Sequence, residues 1–176
     1  RAARGSETTI LVRVPNDSPH EIKRALDCGA SGIMVPGVET ADQAQRIVDQ
    51  CRYPPEGRRG AAGSIRAGRY GQDWKDYVAT ANDAVMVLCQ IESREAVARI
   101  AEIAIPGVDS LFLGPMDLSG SIGKLGQFDD PEVMALRADA ERAILATDAV
   151  LGTIETAAGG YDRLAAQGYR LIFATS

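Results

Sequence analysis

The sequence is short of the residues that build most metal cages and disulfide frameworks. It has one histidine, and its three cysteines, Cys28, Cys51 and Cys89, are widely spaced and set in apolar or helical contexts. Neither a disulfide framework nor a thiolate zinc site fits, and buried thiols in a reducing compartment are expected instead. His20 falls on the first turn of a helical segment, a position that reads as surface rather than as ligand or base. Basic charge is also scarce: 19 Lys and Arg stand against 24 Asp and Glu, a formal net charge of −5. With no basic stripe to neutralise phosphates, a nucleic-acid partner is excluded. No apolar run approaches the roughly 20 residues that cross a bilayer, and no signal-peptide h-region is seen. No membrane partner is therefore expected, and the cytoplasm is the expected compartment. The nucleotide fingerprints G-x-G-x-x-G after a strand and G-x-x-x-x-G-K-[ST] are missing as well.

What is present is an ordinary globular composition, 45% hydrophobic over 176 residues, enough for one domain over residues 1–176 with a sizeable core. The first residue is Arg1 rather than Met, and the chain stops at Ala174-Thr175-Ser176 directly after an apolar strand, so a piece of a longer protein is expected. No repeat of 20 to 50 residues is visible, but strand and helix patterns alternate throughout.

Thr8 to Val14 reads as a buried strand closed by Arg13, and Pro15-Asn16-Asp17 turns the chain. Ser18, Pro19 and Glu21 have the pattern of a capped helix start, with Ile22, Ala25 and Leu26 inward and Gly29 as the stop. Asp27 in the last turn opposes the helix dipole, which hints at another duty beside that of a surface acid. Gly32 to Pro36 is the second strand. Thr40 with Gln43 caps a helix whose inner stripe is Ala44, Ile47, Val48 and Cys51. Residues 52 to 72 lack a period and read as a long ordered loop. Its Arg58, Arg59, Arg66 and Arg69 are assigned first to a subunit contact or to solvent, and after that to an anionic substrate. A helix over 73–81 follows, anchored by Trp74 and Tyr77.

Two further apolar runs each end in a carboxylate: Met86-Val-Leu-Cys-Gln-Ile-Glu92 and Leu111-Phe-Leu-Gly-Pro-Met-Asp117. Alternate residues of a strand share a face, so Gln90 and Glu92 project to one side at the strand tip. Gly114-Pro115 breaks the second run and leaves Asp117 in a loop. Carboxylates against apolar walls need a compensating cation, and an oxygen-only donor pair suits Mg²⁺ or Mn²⁺. Solvated acids at two strand ends remain the alternative. Between and after these runs, a helix from Ser93 carries Ala96, Val97, Ile100 and Ile103. Residues 118–128 form a Gly-Ser-rich rim or lid, and Asp130-Pro131-Glu132 opens another helix. Strands near 149–153 and 170–174 flank a helix with Tyr161 and Leu164. Six strands alternating with helices predict a parallel sheet, open or closed. Polar residues at C-terminal strand tips favour the closed form, a (β/α)8 TIM barrel incomplete at both ends.

Taken in order, Val12-Arg-Val-Pro-Asn-Asp17, Ile22-Lys-Arg-Ala-Leu-Asp-Cys-Gly29, Gly32-Ile-Met-Val-Pro36, Arg52-Tyr-Pro-Pro55 with Arg59-Gly60, Gln90-Ile-Glu92 and Gly107 to Leu118 resemble the HpcH/HpaI aldolase family. The likeness runs through nearly the whole chain. It implies metal-dependent pyruvate aldolase chemistry on the α/β barrel. In that chemistry Glu92 and Asp117 bind a divalent metal (Mg²⁺ or Mn²⁺, with Co²⁺ a further candidate), and Gln90 and the Met116 backbone line the pyruvate site. Arg13 stabilises the developing enolate. Asp27 matches the acid that raises the basicity of a catalytic histidine. That histidine belongs to a strand before Arg13, and His20 does not occupy its position, so this chain alone is expected to bind metal poorly and catalyse little. The resemblance also implies a homohexamer and a small 2-oxo acid substrate: pyruvate, oxaloacetate or a hydroxy-oxo acid. The alternatives are an oxaloacetate decarboxylase like macrophomate synthase and a noncatalytic metal-binding paralogue.

Overall fold

The computed structural model describes residues 8–155 and 160–174. The ends of the chain at Arg1 and Thr175-Ser176 lie outside the described residues. The described residues form two compact units, the first within Arg1–Val35 and Gln45–Val87, the second within Pro36–Ala44 and Leu88–Ser176.

In the first unit β1 (Leu11–Arg13) pairs in parallel with β2 (Gly32–Val35), with Arg13 opposite Met34. Thr8 and Thr9 stay outside the strand, but Ser31 N–H to the Ile10 carbonyl and Val14 N–H to the Met34 carbonyl extend the ladder at both ends. Between the strands, α1 (Pro19–Asp27) buries Ile22 and Leu26 and ends at Gly29, whose φ of +94° suits glycine. The capping box expected at its start does not form. Ser18 makes no side-chain cap bond; its N–H donates instead to Asn16 Oδ1 at 2.9 Å, so an Asx turn sets the helix start. The Thr40 cap does form: Thr40 Oγ1 accepts the Gln43 N–H, and Gln43 Oε1 accepts the Glu39 N–H, ahead of α2 (Ala41–Cys51). Ile47, Val48 and Cys51 of that helix are buried as the stripe predicts.

Residues 52–68 have no helix or strand, yet the segment is tied down near both of its ends. Tyr53 N–H donates to Asn82 Oδ1 at 2.7 Å, and Asn82 Nδ2 returns a bond to the Tyr53 carbonyl at 3.0 Å. Ala67 N–H reaches the Asp27 carbonyl. Beyond a 3₁₀ turn over Arg69–Gly71, α3 (Trp74–Ala84) runs three residues past the predicted end and supplies Trp74 and Tyr77 to an edge-packed cluster around Tyr53. Arg59 overturns the solvent or subunit assignment made for the loop arginines. It is 2% exposed, its guanidinium lies 4.4 Å from the Tyr53 ring centroid, and its Nη2 donates to Asp27 Oδ1 at 2.9 Å. Arg58 and Arg69 pair with Asp49 and Asp73 on the surface.

In the second unit Leu88–Ile91 of β3 (Met86–Ile91), β4 (Ser110–Leu113), β5 (Val150–Ile154) and β6 (Leu171–Phe173) pair in succession, all parallel. Two-sided burial explains the continuous apolar character of β3 and β4, while β6 is half-buried along its length. Gly152 in β5 has no room for a side chain: a Cβ there would lie 2.8 Å from Phe112. The helix expected from Ser93 is two single turns, α4 (Arg94–Val97) and α5 (Ile100–Ile103). Arg99 leaves helical geometry and tighter i to i+3 bonds take over at the junction, so Ala96, Ile100 and Ile103 all remain buried. Pro115 starts α6 (Pro115–Gly120), which places Asp117 in a first turn rather than in the predicted loop. Asp130 caps α7 (Pro131–Leu145) by accepting the Glu132 N–H, and α8 (Tyr161–Ala166) leads to β6.

Two measurements check the Arg59 cluster. Asp27→Ala strands a buried guanidinium and is expected to cost about 3 kcal/mol in urea unfolding, whereas Arg59→Met leaves a carboxylate still paired with Lys23 and costs about 1 kcal/mol. Burial pushes the Tyr53 phenol from 10.0 up to about 12, against the opposing pull of Arg59. Between those pH values the unfolded chain releases this proton and the folded chain keeps it, so stability present below pH 10 falls as pH rises to about 12. Tyr53→Phe is expected to flatten that slope relative to the parent.

Candidate active site

Glu92 follows the last residue of β3, where the buried strand meets the surface. Its carboxylate is held on two sides. Oε2 accepts the Gly37 N–H at 2.8 Å, and Oε1 lies against Gly114, where a Cβ would stand only 2.7 Å away. Gly114 is the N-cap of α6, and Asp117 is an exposed residue in the first turn of that helix. The second unit thus brings Glu92 and the helix bearing Asp117 together at Gly114. Gln90, on the same face of the strand two residues back, is 5% exposed, and its carbonyl accepts the Val38 N–H.

Among the described residues no group of three His, Cys, Asp or Glu side chains converges as a metal cage. Two carboxylates, one seated against a bare Cα, fit a hard cation that keeps water or substrate oxygens in its other positions. They do not fit a closed structural site of soft ligands.

The segment after Asp117 is pinned rather than free to swing as a lid. The fully buried Ser119 hydroxyl donates to the Met116 carbonyl at 2.7 Å and accepts the Gly126 N–H at 2.9 Å. Lys124 pairs with Asp130 at 2.7 Å and Glu132 at 3.1 Å; these bonds hold the lysine charged and keep the Asp130 carboxyl below the usual carboxylate range, while the Glu132 carboxyl is lowered first by its bond from Arg94 and then by Lys124. The Met116 side chain is exposed, while its carbonyl is committed to Ser119.

Arg13 and Asp27 belong to the first unit. Arg13 is exposed at the end of β1, on the wall of an open cavity of about 380 Å³ that Arg24 and Arg66 share. Asp27 is engaged by Lys23 on one oxygen and by Arg59 on the other. Burial acts against the Arg59 charge, but the Asp27 bond and the flanking tyrosines outweigh it and raise the guanidinium pKa. Those partners answer the acid's unfavourable place at a helix end. Sequence reasoning missed Arg59 and Gly37: the first looked like a solvated loop cation, and the second acts through its backbone.

Residues 1–172 match the family described as HpcH/HpaI aldolase/citrate lyase. The chain belongs to this family. It is 49% identical over 131 residues to the 2-dehydro-3,6-dideoxy-6-sulfogluconate aldolase of Pseudomonas putida, covering 74% of this chain and 51% of that one. It is 44% identical over 136 residues to a hydroxypyruvate/pyruvate aldolase of Roseobacter denitrificans, covering 76% and 53%. A crystal structure of an HpcH/HpaI aldolase/citrate lyase family protein from Burkholderia cenocepacia matches with a TM-score of 0.88 at 39% identity, over 94% of this chain and 66% of that one. The chain spans about half the length of the curated relatives it matches.

The pinning of the post-Asp117 segment can be tested directly. Ser119→Ala removes a buried hydroxyl that both donates and accepts, and is expected to cost about 1 to 2 kcal/mol and to speed proteolytic cleavage within 121–129.

Proposed function

We propose that this chain carries the metal and pyruvate half of a class II aldolase, built as a single (β/α)8 barrel domain, that cleaves or forms a 4-hydroxy-2-oxo acid. The observation that carries the reading is the meeting of Glu92 with the Asp117 helix at Gly114, in a chain of an aldolase family. Parallel strands separated by helices, with these carboxylates just past the C-terminal ends of β3 and β4, are the arrangement from which such barrels build their sites.

Glu92 and Asp117 would hold Mg²⁺ or Mn²⁺, with Co²⁺ a further candidate, and the bound cation would supply positive charge to the keto oxygen of the substrate. Gln90 offers its amide on the face it shares with Glu92, and the Met116 backbone borders the same place. Arg13 contributes a fixed charge to the oxygen on which negative charge develops as the C–C bond breaks; its planar fork cannot be replaced by a compact ammonium. Asp27, held at both oxygens by Lys23 and Arg59, is assigned to setting the basicity of the proton-abstracting histidine that the resemblance implies. A homohexamer in the cytoplasm completes the reading. No helix among the described residues is long and apolar enough to cross a membrane.

In the whole protein, Glu92→Ala or Asp117→Ala is expected to abolish metal-dependent pyruvate release from 4-hydroxy-2-oxo acids while circular dichroism stays unchanged. Arg13→Lys should lower kcat by about 100-fold or more. Pyruvate release from oxaloacetate alone would replace the aldolase reading with a decarboxylase, and near-parental rates in both carboxylate variants would end the metal role.

A further inference from the structure

The loop after β2 is tied to the end of β3 at three points inside the second unit. The Gly37 N–H donates to Glu92 Oε2 at 2.8 Å, the Val38 N–H donates to the Gln90 carbonyl at 3.1 Å, and Ser93 Oγ donates to Glu39 Oε1 at 2.7 Å. Gln43 holds the loop from the far side, its Nε2 donating to the Gly37 carbonyl at 3.3 Å while its Oε1 accepts the Glu39 N–H at 3.1 Å.

The two glycines that touch Glu92 are glycines for different reasons. Gly37 has φ +62° and nothing within 4 Å of a Cβ position, so space is not what selects it. Its left-handed backbone is what a side chain would oppose, and that backbone aims its amide at the carboxylate. Gly114 has an ordinary φ of −91°, so its backbone does not require glycine. A Cβ there would instead stand 2.7 Å from Glu92 Oε1 and 2.8 Å from Glu92 Cγ, and the three nearest atoms it would meet all belong to that side chain.

We infer that Gly37 and Gly114 are positioning residues for Glu92, a two-sided seat formed by one backbone amide and one missing side chain that presents the carboxylate at the first turn of α6. The inference rests on the proposed metal role of Glu92 and Asp117. A free glutamate loses rotamer freedom when it takes up a ligand, and a seated one has lost it already. Outer residues that orient metal-binding carboxylates are typically worth 10- to 100-fold in metal affinity.

The test uses the full-length protein freed of metal, with Mn²⁺ titrated and followed by electron paramagnetic resonance. Gly114→Ala must push the Glu92 carboxylate out of its seat and is expected to weaken Mn²⁺ binding by about 10-fold or more, with cooperative urea unfolding retained. Gln43→Leu, which cuts the tie behind Gly37, is expected to weaken it by about 3-fold. The Gly37 amide resonance is the second readout: it should move in Glu92→Gln and in Gly114→Ala alike, a change that a loss of stability elsewhere would not produce. Parental Mn²⁺ affinity in Gly114→Ala, or an unmoved Gly37 amide in that variant, overturns the inference while leaving the metal reading standing. Unchanged Mn²⁺ binding in Glu92→Gln defeats the metal reading, and the inference falls with it. If Gly114→Ala does not fold, Gln43→Leu decides: parental affinity there overturns the seat.

Discussion

A carboxylate at the mouth of a buried strand has to be held, and the second unit is organised around holding Glu92. Burying such a group without partners would cost several kcal/mol, and even at a strand tip its orientation would be undefined. The fold answers with a backbone donor from the loop after β2 and a gap at the start of α6. The neighbouring bonds, from Val38 to the Gln90 carbonyl and from Ser93 to Glu39, keep that loop at the strand end. The proposed chemistry and the architecture therefore share the same few contacts.

The first unit solves the opposite problem, a buried cation. Arg59 loses its water and gains Asp27, the Tyr53 face and the Tyr77 ring at 5.8 Å. Its Nε, like Tyr53 Oη, is buried with no hydrogen-bond partner among the described residues. The cluster is thus held by charge and by stacked rings more than by a complete hydrogen-bond set, which is why removing either partner has unequal consequences.

Much of this was legible in the sequence because it follows from local rules. Thr40 with Gln43, Asp130 with Pro131, and Gly29 after α1 announce their helix ends by residue type at fixed spacing, and the structure forms each of them. The apolar runs before Glu92 and Asp117 are strands for the same reason. What was not legible depends on partners far away or on the backbone. Ser18 has the residue type of a cap, but Asn16 turns the chain first. Gly114-Pro115 reads as a strand breaker, yet proline at the first helical position begins α6. Arg59 sits in an aperiodic segment, and its partner is 32 residues away. The Gly37 amide leaves no trace in a one-letter code, because every non-proline residue has one.

The clamp between Asn82 and Tyr53 carries a wiring constraint of its own. The side-chain amide meets the Tyr53 backbone with its oxygen on the N–H and its nitrogen on the carbonyl. Aspartate has the same shape, but it would set a charged oxygen against that carbonyl; leucine would leave both ends of the peptide unanswered. Replacing this one amide by a carboxylate would therefore loosen the beginning of the 52–68 segment without altering the bulk of a single residue.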